Sequence, residues 1–111
     1  MPILPNAGRA IIDRRKVLDY LLSLTNPRGA HKARVFRAAL GYTRRNHEDL
    51  IGAIRDGIMT NEAALLREDR YGEHYRVEMT IAGLRGSARI VTGWITDRGI
   101  DVPRLTTAFL R

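Results

Sequence analysis

The spacing of apolar residues along the chain changes once, from a helical period to a strand period. In the first half, apolar residues recur every three or four positions, as they do at Val17, Leu18, Leu21 and Leu22. This is the spacing of an amphipathic helix. In the second half, strict alternation of apolar and polar residues appears, with Tyr75, Val77, Met79 and Ile81 as the apolar set. Alternation of this kind is typical of a half-buried strand.

The first half predicts about three helices. Asp13 can cap the first helix, which must end before Asn26-Pro27, because the residue before a proline is pushed out of helical geometry. A second helix is predicted from Ala30 to Leu40, with Gly41 as its stop. A third is predicted to open at Asn46, with a buried stripe formed by Leu50, Ile51, Ile54 and Ile58.

The second half predicts a sheet built from consecutive hairpins. The strand around residues 75–81 is followed by AGLRGS, a hairpin connection, and then by ARIVTGWIT and PRLTTAFL. AALLRED, before them, is either a short leading strand or a helical turn. We therefore expect an α+β protein with about three N-terminal helices packed on one face of a three- to four-stranded antiparallel meander. We expect one domain over residues 1–111, helical at about 10–58 and sheet at about 63–110.

Composition and motifs exclude several classes of protein. Apolar residues make up 44% of the chain and charged residues 28%, as in ordinary globular proteins. No apolar run approaches the roughly 18 residues that a membrane span needs, and no secretory signal is apparent, so we expect no membrane contact. We expect a cytoplasmic location, or delivery to the cytoplasm of a target cell if the chain is part of a secreted protein. There is no cysteine, and three scattered histidines offer no ligand spacing. We therefore expect no metal and no cofactor.

The positive charge lies in the first half of the chain. Residues 1–55 contain eleven basic and four acidic residues, whereas residues 56–111 contain eight of each, so the whole net charge of +7 comes from the first half. This asymmetry favours a polyanionic partner, most simply RNA, or an acidic protein. The alternative is coding bias, since most of the basic residues are arginine.

Lys32 falls in the apolar sector of the second predicted helix. On a helical wheel it lies near the direction shared by Val35, Phe36 and Ala39, with His31 at the edge of the sector. An unpaired ammonium is costly to bury, so Lys32 either faces a cleft where a phosphate can bind or extends its stem to reach water. The first turn of a helix also presents free N–H groups and a positive partial charge, which favours an anion.

Five segments, in order along the chain, together resemble a known bacterial family. They are LPNAGRAIID, NPRGAHKARVF with ALG, YGEHYRV, TGWI and PRLTT. The family is a domain of unknown function found as small stand-alone proteins and as the C-terminal tips of polymorphic toxins. By analogy, its fold resembles that of barnase, colicin-D and RelE-like ribonucleases. The family's GxHKA segment matches Gly29, His31, Lys32 and Ala33; YGxxY matches Tyr71, Gly72 and Tyr75; GW matches Gly93 and Trp94; and LTT matches Leu105, Thr106 and Thr107.

The resemblance implies a toxin-like endoribonuclease that needs no metal and is neutralised by a cognate antitoxin or immunity protein. His31 would act as the general base, because imidazole exchanges protons near neutral pH. Lys32 would stabilise the phosphoryl oxygens, one of Thr107 or Thr106 would bind phosphate, and Tyr75 would act as an acid or stack on a base. Adjacent strand residues point to opposite faces, so only one of the two threonines is expected to serve. Phe109 has no hydroxyl and takes no acid or base role.

Nucleic-acid contacts are assigned to Arg28, Arg34, Arg37, Thr92 and Trp94. Two alternatives to an enzyme remain open at this point. The first is a non-catalytic module that binds nucleic acid or protein through the basic N-terminal half. The second is an immunity-like or antitoxin-like protein, in which that half meets an acidic partner.

Overall fold

A computed structural model describes residues 2–111, so the first residue of the predicted domain lies outside the described residues. Helix α1 (Arg14–Lys16) continues as a π-helical turn (Val17–Leu21) and is followed by α2 (Ala30–Leu40) and α3 (His47–Thr60). The strands are β1 (Ala63–Asp69), β2 (Gly72–Ala82), β3 (Ser87–Asp97) and β4 (Arg104–Leu110). All neighbouring strands are antiparallel, in the order β1-β2-β3-β4. The predicted α+β fold, with helices before a meander, is confirmed.

The predicted helix signals are confirmed with one exception. The Asp13 carboxylate accepts a hydrogen bond from the backbone N–H of Arg15, and α2 ends at Gly41, whose φ of 80° is readily adopted only by glycine. The exception is Asn46, which does not cap α3. Its side chain instead accepts from the backbone N–H of Thr43, 2.7 Å away, and completes a capping box around a short 3₁₀ turn.

The ambiguous segment AALLRED forms an edge strand. As β1 it pairs with β2 in one register from Ala63 opposite Val77 to Leu65 opposite Tyr75, and then shifts before Arg67. The next strand, β2, buries Val77, Met79 and Ile81 on one face, as the alternation predicts. Pairing with β2 therefore decided between strand and helical turn, because a seven-residue segment with four apolar residues is compatible with either.

The core lies between the helices and one face of the sheet. The helices contribute fully buried residues such as Phe36 and Ile54, and the sheet contributes Val77, Met79 and Ile90. Burial of such side chains is the main favourable term in folding, at about 25 cal/mol per Å² of apolar surface. No helix within residues 2–111 combines the length and apolarity needed to cross a bilayer.

Two close backbone contacts fix the position of α2. At its C-terminal end, a Cβ added to Gly83 would lie 2.1 Å from the carbonyl oxygen of Leu40, so the β2–β3 loop packs directly on the helix end. At its N-terminal end, a Cβ added to Gly29 would lie 2.1 Å from the carbonyl oxygen of Tyr20. Both positions therefore require glycine, and α2 is held against the sheet at one end and against the π-helical turn at the other.

Thr92 and Trp94 lie in the core and not at the surface. Their exposed fractions are 0% and 1%, respectively. The indole Nε1–H of Trp94 donates to Thr92 Oγ1 at 2.8 Å, and the Thr92 hydroxyl donates to the carbonyl oxygen of Val77, also at 2.8 Å. The predicted nucleic-acid contacts of Thr92 and Trp94 are therefore wrong, because both polar groups are used to satisfy each other inside the protein.

We expect Thr92→Val to destabilise the fold by about 1–3 kcal/mol, because the change keeps the side-chain shape but leaves the buried Trp94 N–H without an acceptor. Thr80→Val, on the exposed side of β2, is the matched control and should change the free energy of unfolding by less than about 0.5 kcal/mol. Chemical denaturation monitored by Trp94 fluorescence measures both. Equal stability of the two variants would contradict the assigned hydrogen-bond pair.

Candidate functional site

The outer edge of β4 is covered by the N-terminal part of the chain. Ile11 forms a parallel bridge with the start of β4: its N–H donates to the carbonyl of Pro103 at 2.8 Å, and its carbonyl accepts from the N–H of Leu105 at 2.9 Å. Further along the same strand, two lysine ammonium groups bind to β4. Lys16 Nζ donates to the carbonyl oxygen of Thr106 at 3.2 Å, and Lys32 Nζ donates to Thr107 Oγ1 at 3.3 Å.

Lys32 is directed inward, as its position on the wheel predicts. Its side chain is half-buried, and its ammonium lies 5.7 Å from the centre of the Tyr20 ring and 5.2 Å from that of Phe109. The ammonium is therefore held by a hydroxyl and two aromatic faces and does not simply extend its stem into water. Cation–π contacts of this kind stabilise by about 0.5–2 kcal/mol, depending on exposure.

Lys16 is a member of the same site that sequence reasoning missed. Its ammonium lies 5.9 Å from the centre of the same Tyr20 ring. Lys16 and Lys32 are the only two lysines among nineteen basic residues, and both converge on one aromatic side chain. The available signal was the spacing of four between Lys16 and Tyr20, which places them on one side of a helical turn.

The two lysine charges have no acidic partner. Within residues 2–111, no carboxylate lies within 4.0 Å of either ammonium, whereas Arg9, Arg14 and Arg44 each pair with an acid on the surface. Each lysine is half-buried. Two neighbouring positive charges, partly removed from water and not neutralised by the protein, create a local potential that favours an anion.

His31 lies beside Lys32 and is exposed. Together with Lys32, Val35, Phe109 and Leu110 it lines a small cleft of about 200 Å³. No hydrogen bond from another residue in 2–111 holds its ring. Both ring nitrogens are therefore open to a molecule that enters the cleft, although the imidazole is not fixed in one orientation by the protein.

A bulge brings both threonines to one place. Gly93 pairs with Thr107 while Trp94 pairs with Leu105, so Thr106 is an extra residue in β4. A Cβ added to Gly93 would lie 3.0 Å from Thr106 Oγ1 and 3.0 Å from Thr107 Cγ2. Side-chain atoms of both threonines therefore lie beside Gly93, because simple alternation of faces does not hold at a bulge, and which of the two hydroxyls serves stays a prediction.

Tyr75 is not brought to this site. It lies on β2, which is separated from β4 by β3, and its hydroxyl donates to Glu73 Oε2 at 3.3 Å. Burial and the neighbouring charge of Glu73 raise the pKa of Tyr75. The tyrosine therefore keeps its proton, and nothing places that proton near Lys32 or Thr107.

Among the predicted arginine contacts, Arg34 lines a cleft together with His31, whereas Arg37 lies on another part of the surface. Arg28, Arg34 and Arg37 are all exposed. Arg37, together with Arg44 and Arg45, lines a cleft of about 670 Å³, whose apolar wall includes Leu22, Leu24, Ala33 and Tyr42. This arginine groove, as we call it, is a second basic surface, and its lining contains neither Lys16 nor Lys32.

A third cluster, around the β1–β2 turn, is acidic. Its cleft is lined by four carboxylates, Glu68, Asp69, Glu73 and Asp97. Asp69 accepts from the N–H groups of Tyr71 and Gly72 and from His74 Nε2 at 3.0 Å, whereas Asp97 pairs with Arg104 at 2.7 Å. Asp69 holds the turn together, and the four carboxylates together repel phosphate. Within the described residues, no three His, Cys, Asp or Glu side chains are grouped so that they could hold a metal ion.

Comparison with known proteins supplies a family and a fold. A family model described as a domain of unknown function (DUF6883) matches residues 3–111. Among solved structures, one chain of a contact-dependent growth inhibition toxin–immunity protein complex from Klebsiella pneumoniae 342 is similar, with a TM-score of 0.70 and 14% sequence identity. The alignment covers 91% of this chain and 99% of that chain. At this identity the likeness shows the fold alone. No curated protein matches the sequence.

We expect Gly29→Ala to destabilise the protein by about 1–3 kcal/mol, because the new methyl group must displace the backbone of Tyr20 or the start of α2. Gly52→Ala is the matched control. Nothing lies within 4 Å of a Cβ at Gly52, on the exposed side of α3, so this change should stabilise by about 0.5–1 kcal/mol. Thermal and chemical denaturation measure both, and two changes of the same sign would contradict the close contact at Gly29.

Titration of Asp69 tests the β1–β2 turn. Hydrogen bonds, first from the Tyr71 N–H and then from His74, lower the pKa of Asp69 from 3.8 to about 2. A lowered carboxyl pKa stabilises the folded state above about pH 4, and this contribution is lost as the pH falls through about 2. Carboxyl-carbon NMR should therefore show an Asp69 midpoint near pH 2. A midpoint close to 4 would contradict the hydrogen-bonded turn.

Proposed function

The chain belongs to the DUF6883 family, and from that premise we propose that it is a toxin-like endoribonuclease that cleaves RNA without a metal ion. The observation that carries this proposal is the placement of Lys32. Its ammonium is held beside the Thr107 hydroxyl at 3.3 Å, next to the exposed His31, with no carboxylate within 4.0 Å in the described residues. Such a group is ready to stabilise negative charge on a phosphoryl oxygen.

In the proposed reaction, His31 takes the proton of a ribose 2′-hydroxyl. The 2′-oxygen then attacks the adjacent phosphorus, and the bond from phosphorus to the 5′-oxygen of the next nucleotide breaks. Lys32 and the Thr107 or Thr106 hydroxyl stabilise the charge that builds up on the non-bridging oxygens. The leaving 5′-oxygen takes a proton from water, and the products are a 2′,3′-cyclic phosphate and a 5′-hydroxyl end. Tyr75, which sequence reasoning considered as the acid, has no part in this scheme.

A neutralising partner belongs to the proposal. The similar solved chain comes from a complex of a contact-dependent growth inhibition toxin with an immunity protein. A nuclease that cleaves RNA in the cytoplasm harms its own cell unless it is inhibited, so we propose a cognate immunity protein or antitoxin for this chain too. An acidic inhibitor suits its basic first half, because opposite charges speed association and favour the correct partner.

The arginine groove favours a second candidate function, a non-catalytic nucleic-acid-binding module. Arg37, Arg44 and Arg45 line one cleft, and of these only Arg44 has an acidic partner within 4.0 Å in the described residues. Arg34 and Arg85 line a neighbouring cleft that shares Arg37. A surface of this kind can contact several phosphates without performing chemistry, and its affinity would fall steeply with salt.

Incubation with total RNA in the presence of a chelator tests the proposal. We expect the wild-type protein to cut RNA and leave cyclic-phosphate ends, and we expect His31→Ala and Lys32→Met each to lower the rate by about a hundredfold or more. His47→Gln, a change of a different histidine on α3, should retain activity. Circular dichroism confirms that each variant is folded.

Two other outcomes would overturn the enzyme proposal. RNA that is bound but not cut, with steep salt dependence, would show the binding module. RNA that is neither bound nor cut, combined with capture of a folded nuclease, would show an immunity-like protein. Expression in bacteria adds an independent result, since an active toxin should arrest growth and the His31→Ala form should not.

A further inference from the structure

We propose that Lys16 and Lys32 together bind the phosphodiester backbone of RNA beside the Tyr20 ring, so that Lys16 is a substrate-binding residue. The inference rests on the proposed function for the identity of the ligand as RNA. The site itself rests on geometry, because two ammonium groups from two separate helical segments lie 5.9 and 5.7 Å from the centre of one ring. Lys16 is not part of any sequence motif that pointed to the site.

The hydrogen-bonding capacity of the two lysines is only partly used. An ammonium group carries three N–H donors. Lys16 uses one on the Thr106 carbonyl, and Lys32 uses one on the Thr107 hydroxyl. Two donors therefore remain on each lysine, and the residues that anchor them are consecutive in β4. A phosphodiester supplies the acceptors that are missing, through its two charged non-bridging oxygens.

The positive charges of the site also favour the binding of an anion. Two positive groups near one ring repel each other, and no carboxylate within 4.0 Å in residues 2–111 offsets that repulsion. The ion pairs whose base comes from the first half of the chain, Arg9–Asp101, Arg14–Glu48 and Arg44–Asp19, all use arginine. A phosphodiester, with its one negative charge, would offset part of the positive charge of the pair and replace the water that both half-buried ammonium groups have lost.

The presence of lysine, in a chain that otherwise uses arginine, fits this role. A planar guanidinium binds a carboxylate or phosphate through two parallel hydrogen bonds and needs space for its whole plane. An ammonium is compact, and its three N–H donors rotate freely. Lys32 lies in a narrow space between the rings of Tyr20 and Phe109. The same two rings offer apolar faces beside which the sugar and base of a nucleotide can pack, which a free inorganic anion would not use.

The test uses full-length protein and an RNA oligonucleotide with 2′-O-methyl groups, which cannot be cleaved. Fluorescence anisotropy gives the dissociation constant at several salt concentrations. We expect Lys16→Gln to weaken binding by about fivefold to tenfold and to lower the slope of log affinity against log salt by about 0.7, the value for one lost contact to single-stranded nucleic acid. Lys16→Arg should recover most of the affinity, because it restores the charge.

Arg15→Gln is the matched control, since Arg15 is an exposed neighbour of Lys16 in the same helix and has no carboxylate within 4.0 Å among the described residues. It should change the affinity by less than about twofold. Equal effects of Arg15→Gln and Lys16→Gln would overturn the inference, because they would show a diffuse basic surface. Unchanged binding by folded Lys16→Gln would overturn it as well.

Two further measurements identify the class of ligand and distinguish a failure of the lysine site from a failure of the proposed function. Inorganic phosphate should compete only at concentrations far above those of the oligonucleotide, and equal competition by an acidic peptide would overturn the assignment of the site to RNA. If wild type binds the oligonucleotide through Lys16 but does not cut RNA, the proposed function fails and the lysine site stands. If wild type cuts RNA and Lys16→Gln cuts it with unchanged KM, the lysine site fails and the function stands.

Discussion

The contact between Gly29 and the carbonyl of Tyr20 is the constraint on which the candidate site depends. Because Gly29 has no side chain, the start of α2 lies directly against the π-helical turn that carries Tyr20. This close contact places the ammonium of Lys32, in the first turn of α2, over the Tyr20 ring. Lys16 reaches the same ring from one helical turn before Tyr20. A displacement of α2 by the width of one methyl group would move the Lys32 ammonium away from the Tyr20 ring and from Thr107 on β4.

A second glycine has the same role on the sheet side. Gly93 leaves a gap on β3 into which the bulge of β4 places both Thr106 and Thr107. The threonines and the lysines therefore depend on two separate glycines, and on the pairing of segments that are distant in sequence. The glycines and their contact partners lie in separate short motifs, because each glycine makes room for a residue from another part of the chain.

Electrostatics distinguishes the lysine site from the rest of the surface. Several exposed arginines elsewhere are paired with acids, such as Arg14 with Glu48, and others line the open arginine groove. Exposed pairs of this kind contribute little to stability. At the edge of β4, by contrast, two half-buried ammonium groups are left without counter-charge. Such an arrangement carries a desolvation cost in the free state that a bound anion would reduce.

The sequence alone determined the order and type of the elements, because hydrophobic period and helix-stop residues are local properties. It placed α2 between Ala30 and Leu40 and directed Lys32 inward, as the structure has them. It did not find Lys16, since nothing local shows that two lysines sixteen positions apart meet at one ring. It also misplaced Thr92 and Trp94. Both lie in the core, where the indole N–H of Trp94 donates to the hydroxyl of Thr92 two residues earlier on β3. Tertiary structure decided these points, because the close approach at Gly29, the bulge at Thr106 and the burial of Trp94 arise only when distant segments pack together.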